Sequence, residues 1–294
     1  MQRRSTIAFL MTLPLIILIV TLVAYPAGYA VYLAMLNKGM TRFVGLGNFD
    51  FLFGRETFWM VVYQSCLFAI TAVIFKAIIG FVVAHFVHNI PSKGQRKWRG
   101  MLLVPWVIPP AMSTLAWLWL FDPSYSAFNW LLEHVGLDRI SWLGETGWAR
   151  FSVILANVWF GAPFFMIMYL ASLKSVPEQL YEAASIDGAR PMRQFLHITV
   201  PMLRPTIIFT VVISTIGGLQ LFTEPYLFEP LHYGATGGSD RQYQTVAMYL
   251  YEKAFASSQF KFGYASAAAW CLFLLIAVIS AINFLIVRRI RSAE

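Results

Sequence analysis

Long runs without Lys, Arg, Asp or Glu recur along the chain, and only Lys76 interrupts one of them. About 20 apolar residues are enough for an α-helix to cross a bilayer. Because lipid offers the backbone no hydrogen-bond partners, such runs must be helical, and the alternating pattern of a membrane β-barrel is missing. The pattern predicts an all-α polytopic membrane protein with six transmembrane helices, at about 7–36, 58–87, 100–121, 151–173, 205–223 and 262–287.

Composition agrees with lipid as the main solvent. Hydrophobic residues make up 59% of the chain and charged residues 12%, about half the ~25% of a soluble domain. The first apolar run is much longer than the roughly 7 to 15 residues of a signal peptide's apolar region and has no clear cleavage site, so we expect a retained helix. No linker composition divides the chain, which predicts a single transmembrane domain over residues 1–294.

The basic residues are distributed unevenly between the two sides of this arrangement. Thirteen Lys and Arg lie in the two ends and in the loops around 93–99 and 174–204, against eight in the other loops. The positive-inside rule therefore places both termini in the cytoplasm and segments 38–56, 122–150 and 224–261 outside. Residues 224–261 are too polar to lie in lipid, and with 122–150 we expect them to form a docking surface. The net charge of +8 reflects topology rather than nucleic-acid binding.

Several kinds of chemistry are absent from the sequence. There is no Gly-Lys dipeptide, so a Walker A loop for nucleotide phosphates cannot be present. The five histidines are scattered, and both cysteines fall inside predicted spans. We therefore expect no catalytic residue, no metal site, no disulfide and no cofactor in this chain, which is predicted not to be an enzyme.

The charge pattern also bears on ion-coupled transport. A secondary carrier is expected to place carboxylates within its spans, and no Asp or Glu lies inside the predicted runs. Lys76 is the one charge within a span, and we expect it to extend to the headgroups rather than to act in transport. A stand-alone secondary sugar carrier and a membrane scaffold stay open as alternatives.

The loop after the fourth span has the composition of two short helices. Pro177 suits the start of one helix, Gly188 its end, and Pro191 the start of another. Ala183 and Ala184 leave little side-chain bulk, so another surface can approach the backbone closely. These features predict a helix-turn-helix that docks onto a partner.

The same loop resembles a known family signature. Glu182-Ala183-Ala184, then Gly188, then Ile198-x-Val200-Pro201 resembles the EAA motif of binding-protein-dependent ABC importer permeases, which usually has Leu in place of Val200. The resemblance implies a type I ABC importer permease fold with its coupling loop at 174–204. In that family the loop sits in a cleft of a separate ATPase subunit. The implied coupling residues are Glu182, Ala183, Ala184, Asp187 and Gly188.

Other segments resemble the MalF-like permeases of carbohydrate uptake systems, namely 43–49, 186–189 and 249–265. The resemblance implies a second homologous permease in a heterodimer, two ATPase subunits that use ATP and Mg, and an extracytoplasmic sugar-binding protein. It also implies a prokaryotic cytoplasmic membrane. The cargo would be a sugar or oligosaccharide, with glycerol phosphate or a polyol as the alternative.

Two helix faces are candidates for the substrate path. On the fourth span an amide, two rings and a glycine share one face, which resembles the face through which MalF-like subunits contact sugar. On the fifth span small residues occupy the corresponding face. The competing interpretation is structural: small residues in membrane helices serve helix–helix packing, and aromatic residues fill the interior of the bundle. The candidate residues are Asn157, Phe160, Gly161, Phe164, Ser214, Gly217, Gly218, Gln220 and Leu221.

Overall fold

The computed structural model describes residues 2–229, 234–256 and 261–291, and the side chains between residues 9 and 285 within these ranges. The arginines counted at the two ends of the chain lie outside the described side chains. The described residues form 15 α-helices joined by turns and loops, with three π-helical turns at Val20–Ala24, Phe195–Thr199 and Glu252–Ala256. The α-helices are α1 (Gln2–Ile19), α2 (Tyr25–Ala34), α3 (Gly47–Phe53), α4 (Glu56–Asn89), α5 (Ser92–Leu102), α6 (Val104–Val107), α7 (Pro110–Leu120), α8 (Ala127–His134), α9 (Thr146–Lys174), α10 (Glu178–Ile186), α11 (Pro191–Gln194), α12 (Val200–Leu219), α13 (Thr223–Leu227), α14 (Val246–Tyr251) and α15 (Phe262–Arg291).

Within the described residues, five helical stretches are long and apolar enough to cross a membrane. The predicted third span is not among them, because residues 100–121 do not form one helix. Pro105 and Pro109 lack the N–H that the hydrogen-bond ladder of a continuous helix needs. At Ile108, between α6 and α7, the backbone is extended rather than helical. The last piece, α7, has 11 residues, about 16 Å of helix. The expectation of an uninterrupted third span was wrong. The five stretches are Phe9–Ala34, Glu56–Asn89, Thr146–Lys174, Pro191–Leu227 and Phe262–Leu285.

Helices α4 and α9 form the most extensive pair, and glycines allow their close approach. A Cβ atom on Gly80 of α4 would lie 2.4 Å from the Cβ of Phe165 on α9, and a Cβ on Gly161 would lie 2.5 Å from Cε of Lys76. Lys76 and Gly80 are four residues apart on α4, and the residues they meet, Gly161 and Phe165, are four residues apart in the same direction on α9. The two helices therefore run parallel. Their N-terminal ends therefore lie on the same side of the bundle, opposite α10.

Helix α12 packs on α4 from another side and stops early. A Cβ on Gly218 would lie 3.0 Å from Cα of Ala69, which fixes the end of α12 against the first half of α4. The following residues fold back among the helices. We call residues 221–229 and 234–252 the re-entrant segment.

Much of the re-entrant segment is buried, including Glu224, Tyr243, Gln244 and Thr245. Much of the segment that was expected to form a docking surface is therefore buried among the helices, and its role in docking stays a prediction. Most of its buried polar side chains find partners inside the bundle: for example, Thr245 Oγ1 donates to the carbonyl of Leu221 at 2.6 Å. Oε2 of Glu229 and Oε1 of Gln242 are buried without a hydrogen-bond partner among the described residues. Satisfied polar groups can be buried at little cost. Residues 230–233 and 257–260 lie outside the described part.

The first helix stands apart from the other described residues. From Phe9 to Ala24 its side chains are exposed apart from a half-buried Leu13, and contact with the bundle begins with α2, which packs on α15. Gly263 lets the two backbones meet, because a Cβ there would lie 2.6 Å from the carbonyl oxygen of Leu36.

Candidate functional site

The loop after α9 folds as two helices, which confirms the helix-turn-helix predicted from its prolines and glycine. Pro177 caps the start of α10, and Pro191 is the first residue of α11. Gly188 between them has φ +76°, a left-handed conformation that glycine adopts without a steric penalty. We call residues 178–194 the α10–α11 hairpin.

A side-chain hydrogen bond ties this hairpin to the bundle, and two others hold its two helices together. The hydroxyls of Tyr181 on α10 and Thr199 at the base of α12 are 2.9 Å apart and share a hydrogen bond. Within the hairpin, Nε2 of Gln194 donates to Oγ of Ser185 at 2.9 Å and to the carbonyl of Ala189 at 3.0 Å. The hairpin is therefore bonded directly to the base of α12.

The residues predicted to couple to an ATPase lie together on this hairpin. Glu182, Ala183, Asp187 and Gly188 are exposed and Ala184 is half-buried. Their role in coupling stays a prediction.

An apolar tip accompanies these residues, and the sequence interpretation missed it. Ile186 is 87% exposed and Met192 is 67% exposed, with Leu180 also in contact with solvent. Large apolar side chains exposed in a group mark interaction sites. Apolar residues at the turn of an otherwise polar loop were the available sequence signal.

Lys76 lies in the interior of the bundle, so the expectation that it extends to the headgroups was wrong. It retains 7% exposure, and its side chain lies across Gly161, midway along α9. The missing side chain at residue 161 supplies the space for the lysine. A buried ammonium requires a compensating charge or hydrogen-bond acceptors.

Glu224 supplies the nearby negative charge. It is 7% exposed, and its Oε1 accepts a hydrogen bond from Nδ2 of Asn157 at 2.8 Å. The carboxylate also lies near enough to act on the buried ammonium of Lys76 through space, although the two do not form a salt bridge. Glu224 is the first residue after the predicted fifth span, 205–223. Because the spans were predicted as runs free of charged residues, Glu224 was assigned to the loop outside the membrane. The expectation that no carboxylate lies among the spans was therefore wrong. We call Lys76, Asn157 and Glu224 the buried polar cluster.

The candidate path residues of α9 have different surroundings. Asn157 belongs to the buried polar cluster, and Gly161 lies against the side chain of Lys76 in that cluster. Phe160 is buried in an apolar cluster with Trp117 and Phe121, whereas Phe164 is half-buried, its ring centroid 6.0 Å from that of Trp106. Contact of any of these residues with substrate stays a prediction.

The candidates of α12 also divide into two groups. Gly218 packs against Ala69, and Leu221 belongs to the apolar cluster around Phe121. Gly217 and Gln220 are exposed and Ser214 is half-buried, so these three offer an accessible surface. Nothing lies within 4 Å of a Cβ placed on Gly217.

The re-entrant segment is held at the end of the bundle opposite the hairpin. Nε2 of Gln64 donates to the carbonyl of Arg241 at 3.0 Å, and the N–H of Val246 donates to Oγ of Ser65 at 2.8 Å. From α9, Nε of Arg150 donates to the carbonyl of Gln242 at 3.1 Å. These bonds fix the segment to the N-terminal parts of both α4 and α9.

An ion pair stabilises the same segment internally. The guanidinium of Arg241 contacts both carboxylate oxygens of Glu252, at 2.7 and 3.0 Å, and Nζ of Lys253 lies 2.6 Å from the same carboxylate. Burial by itself would raise the pKa of Glu252, but hydrogen bonds from Arg241, Lys253 and Gln244 outweigh it and lower the pKa to about 2. Glu252 is therefore ionised at neutral pH.

This arrangement of helices, hairpin and re-entrant segment agrees with a family match. Residues 76–292 match the family described as "Binding-protein-dependent transport system inner membrane component". The chain belongs to this family. The permease is thus a membrane component of an ABC transport system.

Three relatives show the range of the family around this permease. The sulfoquinovosyl glycerol transport permease SmoG of Agrobacterium fabrum is 31% identical, over 96% of this chain and 90% of the relative. The trehalose/maltose transport permease MalF of Thermococcus litoralis is 31% identical, over 85% and 84%. The sn-glycerol-3-phosphate transport permease UgpA of Yersinia pestis is 30% identical, over 97% and 95%.

Solved structures give the same result for the fold. A chain of a bacterial ABC transporter that imports the acidic polysaccharide alginate superimposes with a TM-score of 0.83 and 25% identity, covering 98% of this permease and 97% of that chain. The same transporter is known in complex with its periplasmic protein bound to an alginate pentasaccharide. The prediction of an ABC importer permease fold is confirmed.

Proposed function

We infer that this permease imports a sugar or oligosaccharide delivered by an extracytoplasmic solute-binding protein, as one of two homologous subunits that enclose the path. Two ATPase subunits, which bind ATP and Mg, would supply the energy, and this chain would not itself be an enzyme. The observation that carries the proposal is the α10–α11 hairpin, whose exposed small residues and apolar tip suit insertion into another protein. Both termini would then face the cytoplasm.

Coupling would proceed through contacts in this chain. A partner that closes around the hairpin would move α10, and the hydrogen bond between Tyr181 and Thr199 would transmit that movement to α12. At the other end of α12, Leu221 accepts the hydrogen bond that holds Thr245 of the re-entrant segment. The hairpin and the re-entrant segment are thus joined to opposite ends of one helix.

The buried polar cluster favours an uncharged cargo. Lys76 is the only buried cation among the described side chains of the spans, and the opposite charge of Glu224 balances it. A phosphorylated cargo would need unpaired basic groups along the path. The relatives include permeases for glycerol phosphate, so that cargo is the alternative to a neutral sugar.

A stand-alone secondary carrier is disfavoured for a different reason than the sequence suggested. Glu224 provides a carboxylate inside the bundle, so the argument from missing carboxylates fails. The family, whose members depend on a binding protein, carries the argument instead.

The deciding experiment is ATP-dependent uptake by the complete transporter in proteoliposomes supplied with its binding protein. The panel would contain neutral mono- and oligosaccharides, an acidic oligosaccharide and glycerol 3-phosphate. Wild type would be compared with Glu182→Lys, and with Lys97→Glu as a control that reverses an exposed charge on α5, outside the hairpin. We expect accumulation of one neutral sugar, abolished by Glu182→Lys and unchanged by Lys97→Glu.

Two other outcomes would contradict parts of the proposal. Uptake that survives Glu182→Lys at normal expression would mean that the hairpin does not couple transport to ATP. Uptake of glycerol 3-phosphate but of no neutral sugar would keep the coupling assignment and overturn the cargo.

A further inference from the structure

A polar cavity of about 270 Å³ lies between α3, the start of α4, the start of α15 and the re-entrant segment. Four cationic side chains line it, together with hydroxyls of Thr57 and Tyr264. The cations are Arg55, Arg241, Lys253 and Lys261. The cavity is distant in the fold from the buried polar cluster, which lies midway along α9.

The charges of this cavity are not balanced within the described part of the chain. Glu252 pairs with Arg241 and Lys253, so one carboxylate serves two cations. Arg55 contacts the face of the Phe51 ring at 4.3 Å, and no described carboxylate lies within 4 Å of Arg55 or Lys261. Glu229 acts on Arg241 as a second, more distant negative charge. Four cations against these two carboxylates leave an excess positive charge.

The backbone keeps these cations together. The N–H of Lys261 donates to the carbonyl of Lys253 at 3.1 Å, which sets the two lysines side by side. The ammonium of Lys253 lies 4.9 Å from the centroid of the Tyr249 ring, and the hydroxyl of Tyr249 shares a hydrogen bond with that of Tyr264. A fixed group of N–H and O–H donors matches an oxyanion such as a phosphate.

The position of the cavity indicates the source of such an oxyanion. It opens where two candidate spans begin, at Glu56 and at Phe262, which is the membrane boundary opposite the α10–α11 hairpin. Beside it, Phe51, Phe53 and Trp59 are about half exposed. Exposed aromatic rings at this level are typical of the membrane interface, where phospholipid headgroups lie.

We propose that this cavity binds the phosphate headgroup of an anionic phospholipid in the leaflet opposite the hairpin. Arg55 and Lys261 supply the charge that no carboxylate of the described chain balances. Arg241 and Lys253 link the site to Glu252, so a bound headgroup would stabilise the end of the re-entrant segment. Arginine and lysine side chains bind phosphate oxygens through charge-assisted hydrogen bonds, on either side of a membrane.

The test uses the full transporter, purified in detergent with phosphatidylglycerol or phosphatidylcholine and examined by native mass spectrometry. Wild type should retain one phosphatidylglycerol per permease and no phosphatidylcholine. Each of Arg55→Gln and Lys261→Gln should weaken phosphatidylglycerol binding roughly fivefold, and the double variant roughly thirtyfold. Arg42→Gln, which removes an exposed cation of the same end outside the cavity, should change nothing.

Each remaining outcome would overturn the proposal. Equal retention of the two lipids, or retention unaffected by the variants, would show that the cavity is not a headgroup site. Displacement of the lipid by millimolar inorganic phosphate would show that the site takes a free anion. If the double variant does not assemble, the two single variants with unchanged elution profiles decide the question.

Discussion

The side chain of Lys76 occupies the space that a side chain at Gly161 would fill, with Cε only 2.5 Å from an ideal Cβ at that glycine. The two residues belong to neighbouring parallel helices, so glycine on α9 is the condition for a buried lysine on α4. The contact joins packing to electrostatics, because the same lysine balances Glu224.

Gly161→Ala should therefore destabilise the permease. The added methyl group would displace the buried lysine, and overpacking of this kind costs about 1–3 kcal/mol. Thermal unfolding of the purified transporter would measure the loss. Gly217→Ala is the matched control, because its Cβ meets open space and alanine favours a helix. If both substitutions lower the unfolding temperature equally, Lys76 does not need the space at residue 161.

Removing one of the two buried charges, Lys76 or Glu224, should cost more than removing both. The two groups are not in salt-bridge contact, so the cost of Lys76→Met should lie below the roughly 3–5 kcal/mol of a broken buried ion pair. The double variant Lys76→Met, Glu224→Gln should recover most of that loss, since the amide can still accept from Asn157. Unfolding of the two single variants and the double variant gives the coupling energy. Additive losses would show that the two charges act independently.

Tyr181→Phe should uncouple ATP hydrolysis from uptake without unfolding the hairpin. The substitution removes the hydroxyl that contacts Thr199, a bond that contributes about 0.5–1.5 kcal/mol. We expect less sugar transported per ATP hydrolysed, with ATPase activity retained. Thr199→Val should have a similar effect, and the double variant should be no worse than either single variant. A double variant with summed losses would contradict transmission through this bond.

Acid should weaken the re-entrant segment through Glu252. Its pKa of about 2 lies below the ordinary value of 4.5, so its contribution to stability is present above about pH 4.5 and is lost as the pH falls toward 2. Thermal unfolding between pH 7 and pH 3 should show this decline. Glu252→Gln should be less stable at pH 7 and should lose less on acidification. An unchanged pH dependence in Glu252→Gln would contradict the assignment, and Asp138→Asn, at an exposed carboxylate without an ion pair among the described residues, serves as the control.

The local chemistry of the sequence was a good guide to the hairpin. Pro177, Gly188 and Pro191 each restrict the backbone at their own position, so the two helices and the turn could be predicted without tertiary information. The long spans could be predicted for a similar reason, because lipid leaves the backbone little choice but to form a helix.

Features that depend on distant residues could not be predicted. Lys76 was expected to reach the headgroups, because its partner Glu224 is far away in sequence and lies just outside a predicted run. The burial of Thr245 depends on an acceptor at Leu221, which no local pattern reveals. The prediction of the third span was wrong for another reason. It was based on the absence of charged residues and did not consider Pro105 and Pro109, although both are visible in the sequence.

The close packing of α4 on α9 has a mechanical consequence. Glycines on both helices lock the pair at two levels, and close-packed interfaces of this kind are not continuously deformable. The α10–α11 hairpin follows one end of α9, while Gln64, Ser65 and Arg150 hold the re-entrant segment at the other. We therefore expect α4 and α9 to tilt together as one rigid body. A tilt that moves their C-terminal ends with the hairpin would move their N-terminal ends, and the re-entrant segment, in the opposite direction.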